Sequence, residues 1–438
     1  MSVTNPPSSP SKNDWKNTVQ HAVISDIGMR RAVNQDSASV VLAESEAGWE
    51  KHGHLFLVAD GMGAHAAGEM ASRLAADLIP HQYIKQQNTL PVEALRRALT
   101  EANAEIFRRG QANIEFRSMG TTASLLTLLP EGAVIGHVGD SRVYQLHGDQ
   151  LYQLTFDHSL VWEMQAAGEV TDETARSGVI PKNVITRSLG PNSTVQVDLE
   201  GPFPVSVGDR FLLCSDGLSG QITDEEIGAF MRVLSPEKAA QIFVDLSNLR
   251  GGPDNITAIV VEVVDPSIAT HDKRATFSRR QPLDMSRFST ALAVVTGVCL
   301  LAALMLALWA PALAIVAGVL GLIALGTGFA QVLQSRGPTE DGSLRYGKGP
   351  HRHFKAVASL ALFEHLAGTM KALREAAEER RWRIDWPSVE KMFRQARSAA
   401  DAKDYVSAVR LQSQVIIELM QQIRKQRTEG ASDSAIDL

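Results

Sequence analysis

Four aspartates lie beside short apolar runs, where rigid strands could aim their side chains at one point: Asp36, Asp60, Asp216 and Asp254. Carboxylate oxygens are the ligands that hard divalent cations such as Mg²⁺ and Mn²⁺ prefer. Asp60 and Asp216 are each followed by a glycine, which lets the backbone turn sharply and leaves a carbonyl oxygen accessible as a further ligand. The four residues are therefore candidates for a cation site, although each Asp-Gly pair taken alone predicts only a turn.

The composition predicts a folded chain of two or three domains. It has 438 residues, and 44% of them are hydrophobic, which is enough to build full cores. The formal net charge is −6, and no basic stripe occurs in the first 265 residues, which argues against nucleic-acid binding. Cys214 and Cys299 both lie in apolar runs, and they predict buried thiols rather than a disulfide or a zinc site.

Residues 18–265 carry the pattern of an α+β domain. Short runs rich in β-branched and apolar residues alternate with turn residues, at 19–24, 54–59, 122–129, 133–138, 143–146, 211–214 and 256–264. Longer helical patterns interrupt them at 68–78 and 91–113. Strands joined by hairpins, with the helices in separate blocks, favour antiparallel sheets covered by helices. The polar residues 1–17 predict a disordered leader that lacks an ordinary secretory signal, so we expect this domain to remain in the cytoplasm.

A stretch without charged side chains follows a basic linker at 266–288. It runs from Phe288 to Ser335, with Pro311 near its middle. Because one membrane span needs about 20 apolar residues, the stretch predicts two transmembrane helices within 289–333. A single tilted span and a buried helical hairpin are the alternatives. Basic residues flank both ends, and the positive-inside bias then places both ends in the cytoplasm.

Beyond a linker at 334–350, residues 351–427 predict a helical region, followed by a frayed tail at 428–438. Apolar residues recur at helical spacing, as between Val389 and Ala399 and between Tyr405 and Ile423. The start of the second stripe is similar to a tetratricopeptide helix, but only one helix pair fits and such repeats need several. A small helical bundle is the alternative, and a protein partner for these helices is open.

Eight short motifs occur in a fixed order, at 26–36, 60–63, 120–122, 139–142, 157–159, 183–190, 213–217 and 253–257. Together they resemble the motif set of bacterial metal-dependent protein phosphatases of the type 2C family, over residues 20–265. The resemblance implies a four-layer sandwich in which two antiparallel β-sheets are flanked by helices. It also implies a metal site in a cleft at one end of the sandwich.

The resemblance assigns the metal ligands residue by residue. Asp60 would bridge two Mn²⁺ or Mg²⁺ ions, and the carbonyl of Gly61 would bind one of them. Asp216 and Asp254 would hold the first ion, and Asp36 would contribute in part through water.

Further site residues are implied in the same way. Asp140 matches a position that binds a third ion in bacterial members, and Arg31 matches the arginine that grips the substrate phosphate. Many animal and plant members have a histidine where this chain has Met62, so the proton donor to the leaving group is open. His65, His158 and a metal-bound water are the candidates.

The implied function is a metal-dependent phosphatase that hydrolyses phosphoserine and phosphothreonine in proteins. A hydroxide shared by two metals would attack phosphorus directly, without a phosphoenzyme. With the apolar stretch, this predicts a multi-pass enzyme of the inner membrane with its catalytic and C-terminal regions in the cytoplasm and a bacterial kinase of eukaryotic type as its opponent. The alternatives are a catalytically weak sensor or scaffold that binds phosphoproteins, and a regulatory phosphatase acting on an antagonist of an anti-sigma factor.

Overall fold

A computed structural model describes residues 15–63, 66–86, 89–171, 174, 180–181, 184–270, 290–307, 309–334 and 345–434. The chain divides into two compact units. The first extends to His271 and resumes at Arg345, and the second spans Asp272–Leu344. Residues that are far apart in sequence, on either side of the second unit, thus belong to one folded body.

The described strands are β1 Val19–Asp26, β2 Asp36–Val41, β3 His54–Met62, β4 Gly120–Thr121, β5 Ala123–Leu129, β6 Gly132–Val138, β7 Arg142–His147, β8 Gln150–Gln153, β9 Asp198–Phe203, β10 Arg210–Cys214, β11 Ile256–Val263 and β12 Arg352–Lys355. One sheet has the order β1-β11-β10-β7-β8-β12, and the other has the order β2-β3-β5-β6-β9, with β4 paired to β3. Every pairing between these strands is antiparallel. The predicted pair of antiparallel sheets is confirmed.

The described α-helices are α1 Glu46–His52, α2 Ala67–Lys85, α3 Pro91–Ala112, α4 Leu160–Ala166, α5 Asp216–Ser219, α6 Asp224–Val233, α7 Pro236–Leu249, α8 Thr290–Leu306, α9 Pro311–Gln334, α10 Leu360–Glu379, α11 Trp386–Asp401 and α12 Tyr405–Ser434. Local chemistry explains several of their starts. Thr223 caps α6 in a reciprocal pair with Glu226, while α3 and α7 each begin at a proline, whose fixed φ suits the first helical position.

Helices cover the outer face of each sheet. Leu57 and Leu125 of the β2–β9 sheet pack in one cluster with Leu95 and Leu99 of α3. On the other sheet, α6 and α7 form a cluster with β7, β8, β10 and β11. Strands β3, β5 and β6 are almost wholly buried on both faces, as is expected of strands with a helix layer on one side and a second sheet on the other. The four-layer arrangement predicted for residues 18–265 follows from this burial.

The second unit contains two helices that pack against each other, α8 and α9. They occupy the stretch in which two transmembrane helices were expected at 289–333. Within the described ranges, no helix is both long and apolar enough to cross a membrane. The expected transmembrane pair is corrected accordingly: α8 has 17 residues, whereas a span needs about 20. The helical hairpin itself is present, with α9 starting at Pro311.

The C-terminal region is helical, as predicted, but it also completes the sheet and the core of the preceding α+β domain. Strand β12 pairs with β8 and becomes the edge of the first sheet. Phe363 and Leu366 of α10 and Ile416 of α12 lie in the same apolar cluster as the residues of α6 and α7. Arg410 donates to the carbonyl of Val233 at 2.8 Å. One continuous core therefore joins residues 345–434 to the domain that precedes them.

Candidate active site

The site is built first from two neighbouring strands. Asp36 at the start of β2 lies directly opposite Asp60 on β3. The backbone of Asp60 is fixed by Thr122, whose Oγ1 accepts from the Asp60 N–H at 2.9 Å and whose N–H donates to the Asp60 carbonyl at 2.8 Å. The hydroxyl of Thr121 donates to the same carbonyl at 2.9 Å. Asp60 is thus held at one place on the sheet before any ligand binds.

The other sheet supplies the remaining carboxylates at its strand ends. Asp216 is the first residue of α5, directly after β10, and Asp254 lies in the loop before β11. Gly217 comes so close to this loop that a Cβ there would lie 2.0 Å from the Asn255 carbonyl oxygen. No other residue type fits, since real Cβ contacts are never that short.

Asn255 joins this loop to the segment that carries Arg31. Its Nδ2 donates to the carbonyls of Ile27 at 2.9 Å and Val33 at 3.1 Å, and its Oδ1 accepts from the Gln35 N–H at 2.8 Å. Its partners lie more than 200 residues away in the sequence, so the motif at 253–257 alone does not show which segment this asparagine holds. It holds the arginine-bearing loop against the carboxylates.

Mutual repulsion and burial raise the pKa values of four of these acids, Asp36, Asp60, Asp140 and Asp216. Burial is the largest cause at Asp60, where the charges of Asp36, Asp216, Asp140 and Asp254 add to it and the pKa lies well above its usual value. The four other predicted carboxylates therefore lie close enough to Asp60 for their charges to act on it.

Asp36 and Asp140 show the same effect. Burial raises the pKa of Asp36 to about 7, against the opposing hydrogen bonds from Ser215 and Thr257. It raises the pKa of Asp140 to about 8, with a further contribution from the charge of Asp216. The side chain of Ser215 donates to Asp36 Oδ2 at 2.7 Å. Buried acids with such pKa values are stabilised by a nearby cation.

Carboxylate oxygens without a hydrogen-bond partner also indicate a site for a cation. Among the described residues, the buried Oδ1 atoms of Asp36, Asp140 and Asp216 accept no hydrogen bond. In that part of the chain, no group of three or more His, Cys, Asp or Glu side chains is arranged so that the protein side chains alone could hold a metal ion. Mg²⁺ keeps several waters and is held by one or two carboxylates, so an oxygen-only, buried and negative donor set of this kind fits hard divalent cations.

Arg31 lies at the open side of the carboxylates. Its Nη2 is 2.8 Å from Asp254 Oδ2, and its side chain is 50% exposed. The hydrogen bond with Asp254 is the largest cause of the raised pKa of Arg31. A half-exposed guanidinium beside a cation site can hold two oxygens of a bound phosphate at once.

His158 does not fit the proton-donor role that was considered for it. Its ring is fully buried, at 0% exposed. Nδ1 accepts from the Gly139 N–H at 2.9 Å, and Nε2 lies 3.0 Å from Asp198 Oδ2. With both nitrogens engaged, the ring holds the loop that precedes Asp140 instead of reaching a leaving group. His65, the other candidate, lies outside the described residues.

Gly217→Ala is expected to disturb the site by sterics alone. The new methyl would overlap the Asn255 carbonyl, so α5 and Asp216 must shift, at a cost of about 1–3 kcal/mol of stability, and activity should fall with them. Gly368→Ala in α10 is the matched control, because a Cβ there meets nothing within 4 Å. Urea unfolding and activity assays on both variants measure the difference; equal behaviour would contradict the close approach.

Comparison with known proteins gives consistent results. Residues 29–247 match the family model described as Protein phosphatase 2C. A Streptococcus pyogenes protein named putative protein phosphatase 2C-type is 36% identical to this chain over 241 residues, which cover 54% of this chain and 94% of that protein. The serine/threonine phosphatase stp of Listeria innocua is 38% identical over 215 residues, covering 48% of this chain and 84% of that protein.

A solved structure is similar to the same part of the chain. The serine/threonine phosphatase PstP/Ppp of Mycobacterium tuberculosis superposes with a TM-score of 0.50 at 30% identity, covering 56% of this chain and 99% of that one. The family match ends at residue 247. The C-terminal region that shares the core is therefore outside it.

Proposed function

The chain belongs to the protein phosphatase 2C family, and we propose on this basis that it hydrolyses phosphoserine and phosphothreonine in proteins with the help of divalent cations. The observation that carries the proposal is the set of buried carboxylates with unpartnered oxygens. A half-exposed arginine lies beside them. The carboxylates do not serve the stability of the fold, because buried like charges are destabilising when no cation is bound.

The residues divide the work between cation binding and phosphate binding. Asp60, Asp216 and Asp254, with the carbonyl of Gly61, would hold two Mn²⁺ or Mg²⁺ ions, and Asp140 would take part in holding a third. Bound cations would supply a water of lowered pKa and neutralise charge on the transferred phosphoryl group.

The chain itself orients these groups. Ser215 fixes the rotamer of Asp36 through its 2.7 Å hydrogen bond. Asn255 holds the loop of Arg31 in place, so that the guanidinium can exchange Asp254 for phosphate oxygens. Orientation before binding lowers the entropy that must be lost in reaching the reactive geometry.

The decisive experiment uses the full chain and a phosphothreonine peptide. Phosphate release is measured with Mn²⁺, with Mg²⁺ and with a chelator. Turnover that needs a divalent cation supports the proposal. A folded protein that binds Mn²⁺ and the phosphopeptide without releasing phosphate would overturn it in favour of the phosphoprotein-binding scaffold.

Arg31→Ala is expected to raise KM for the phosphopeptide by about 10- to 100-fold, because a charge-assisted hydrogen bond to phosphate is worth roughly 1.5–3 kcal/mol. The adjacent, exposed Arg30 provides the matched control. Steady-state kinetics on Arg31→Ala, Arg31→Lys and Arg30→Ala separate the effects. If Arg30→Ala raised KM as much as Arg31→Ala does, the assignment of phosphate binding to Arg31 would be wrong.

A kinase of eukaryotic type as opponent, a protein partner for the C-terminal helices and a location at the inner membrane all stay predictions. The location is supported by the uncharged composition of residues 288–335. Fractionation of cells that express the full chain tests it, and recovery in the soluble fraction alone would contradict it.

A further inference from the structure

A connecting segment, residues 345–358, lies across the catalytic domain before the C-terminal helices begin. Tyr346 and Gly201 form an isolated antiparallel bridge. Glu200 on β9 accepts from the Gly349 N–H at 2.7 Å, and its other oxygen is 3.1 Å from His351 Nε2. A Cβ at Gly347 would lie 1.9 Å from this carboxylate. Specific contacts with β9 therefore hold this segment against the catalytic domain.

Strand β12 of this segment brings one arginine to helix α4. Arg352 lies opposite Gln153 of β8. Its Cζ is 3.9 Å from the ring centroid of Trp162, and its Nη2 donates to Gln165 at 3.4 Å. A guanidinium over an indole face is attracted by the negative face of the ring, by about 0.5–2 kcal/mol depending on desolvation. Arg352 thus holds α4 from the side of the C-terminal region.

Trp162 is also approached by a second arginine, Arg142, which is the first residue of β7. The Cζ of Arg142 is 5.7 Å from the same ring. Arg142 is two residues after Asp140 and is bound to Asp157 through its Nε at 2.8 Å. Trp162 is 8% exposed, and the side chain of Asp157 is 5% exposed. A buried path of contacts therefore runs from Arg352 through Trp162 and Arg142 to the turn that carries Asp140.

An aromatic contact runs beside this path. Phe156 meets Trp162 edge to face at 5.2 Å, and His351 meets Phe156 at 5.6 Å. The next residue, Asp157, accepts a hydrogen bond from Gln153 at 2.8 Å. Neighbours of Asp157 are therefore contacted by the connecting segment at two independent points, His351 and Arg352.

We propose that Arg352 is a positioning residue for the Asp140 turn, through which the C-terminal region sets the affinity of the site for the divalent cation that Asp140 would help to hold. This rests on the proposed function for the identity of the site. Partners that orient a metal ligand directly change metal affinity about 10- to 100-fold. Because Arg352 acts through two further side chains, a smaller change of roughly three- to tenfold is expected.

The test compares four full-length variants with the unmodified chain. Arg352→Ala removes the guanidinium group. Arg352→Gln keeps most of the side-chain length without the charge, and Arg352→Lys keeps the charge without the planar group. Lys355→Ala is the matched control, since Lys355 lies exposed on the same strand. All four substitutions leave the backbone pairing of β12 unchanged. If Arg352→Ala does not fold, Arg352→Gln and Arg352→Lys are used in its place.

Three readouts are taken on each variant. Mn²⁺ binding is titrated by electron paramagnetic resonance, and the Mn²⁺ concentration for half-maximal activity is measured together with kcat at saturating Mn²⁺. Amide hydrogen exchange is followed for residues 156–166. Expected for Arg352→Ala are weaker Mn²⁺ binding, kcat within about twofold at saturation, and faster exchange in α4, with partial rescue in Arg352→Lys and no change in Lys355→Ala.

The outcomes are separable from those of the proposed function. Unchanged Mn²⁺ binding in Arg352→Ala, or an equal loss in Lys355→Ala, overturns the inference even if the enzyme is active. A fall in kcat that saturating Mn²⁺ does not restore also overturns it. An unmodified chain without turnover refutes the proposed function, whereas its Mn²⁺ binding and exchange rates still decide whether Arg352 positions the turn.

Discussion

Asp60→Asn is expected to abolish phosphatase activity and, at the same time, to make the cation-free protein more stable. Asp60 is partly buried, and desolvation together with the charges of four other carboxylates raises its pKa well above the usual value. Removing one of several buried like charges relieves repulsion, by about 1–3 kcal/mol. The same change removes the ligand expected to bridge two cations, so turnover should fall more than about 100-fold, at the upper end of what metal-site substitutions cost.

A substitution that raises stability while it lowers activity is typical of a residue in a binding site. Scanning calorimetry tests the expected gain in stability. The variant and the unmodified chain are melted in chelator and again in Mn²⁺. We expect Mn²⁺ to raise the melting temperature of the unmodified chain, since a ligand of the native state stabilises it, and to do little for the variant. Asp77→Asn, at an exposed position on α2, serves as control. A variant that is less stable in chelator than the unmodified chain would show that Asp60 has a structural role instead.

Phe363→Ala is expected to destabilise the catalytic domain itself, by about 3–5 kcal/mol. Phe363 is 0% exposed and packs in the same cluster as Phe230 and Phe243. A cavity at this position opens in the core shared by α6, α7 and the C-terminal helices. Urea unfolding, followed by loss of phosphatase activity and by circular dichroism, should give coincident transitions at a lower midpoint.

Leu360→Ala provides the comparison within the same helix. Leu360 is 42% exposed, and a substitution there should stay within about 0.5 kcal/mol. If Phe363→Ala lowered only a helical transition and left activity unchanged up to the original midpoint, the C-terminal region would be an independent domain. The shared core would then be refuted.

Local patterns in the sequence predict most of the strands in residues 18–265, because those strands are long and apolar. β12 could not be found in this way. Its four residues, Arg352–Lys355, have no run of apolar side chains, and their conformation is set by pairing with β8 about 200 residues earlier. The helical stripes of 351–427 were visible, but a stripe does not say which surface it will cover.

The site shows the same division. The motif order identified the carboxylates, whereas the polar residues that orient them are ordinary in sequence. Ser215 donates to Asp36, 179 residues away, and a serine before an Asp-Gly pair would have been taken for a turn residue. The sequence could not exclude His158 as a proton donor, because its hydrogen-bond partners, Gly139 and Asp198, are distant in the chain and only the fold shows that they engage both ring nitrogens. The uncharged stretch at 288–335 predicted a pair of helices, which is present as α8 and α9, but composition alone does not distinguish two packed helices from two membrane spans.

The position of β12 at one edge of its sheet also bears on the order of events during synthesis. Strand β8 ends at Gln153, and its partner is not complete until Lys355 has been made. At about 5–20 residues per second, a wait of roughly 10–40 seconds separates the two. During that time β8 exposes unpaired backbone groups, and the apolar face of α6 and α7 lacks its cover. A nascent chain of this protein is therefore expected to need protection by chaperones until its last helices leave the ribosome.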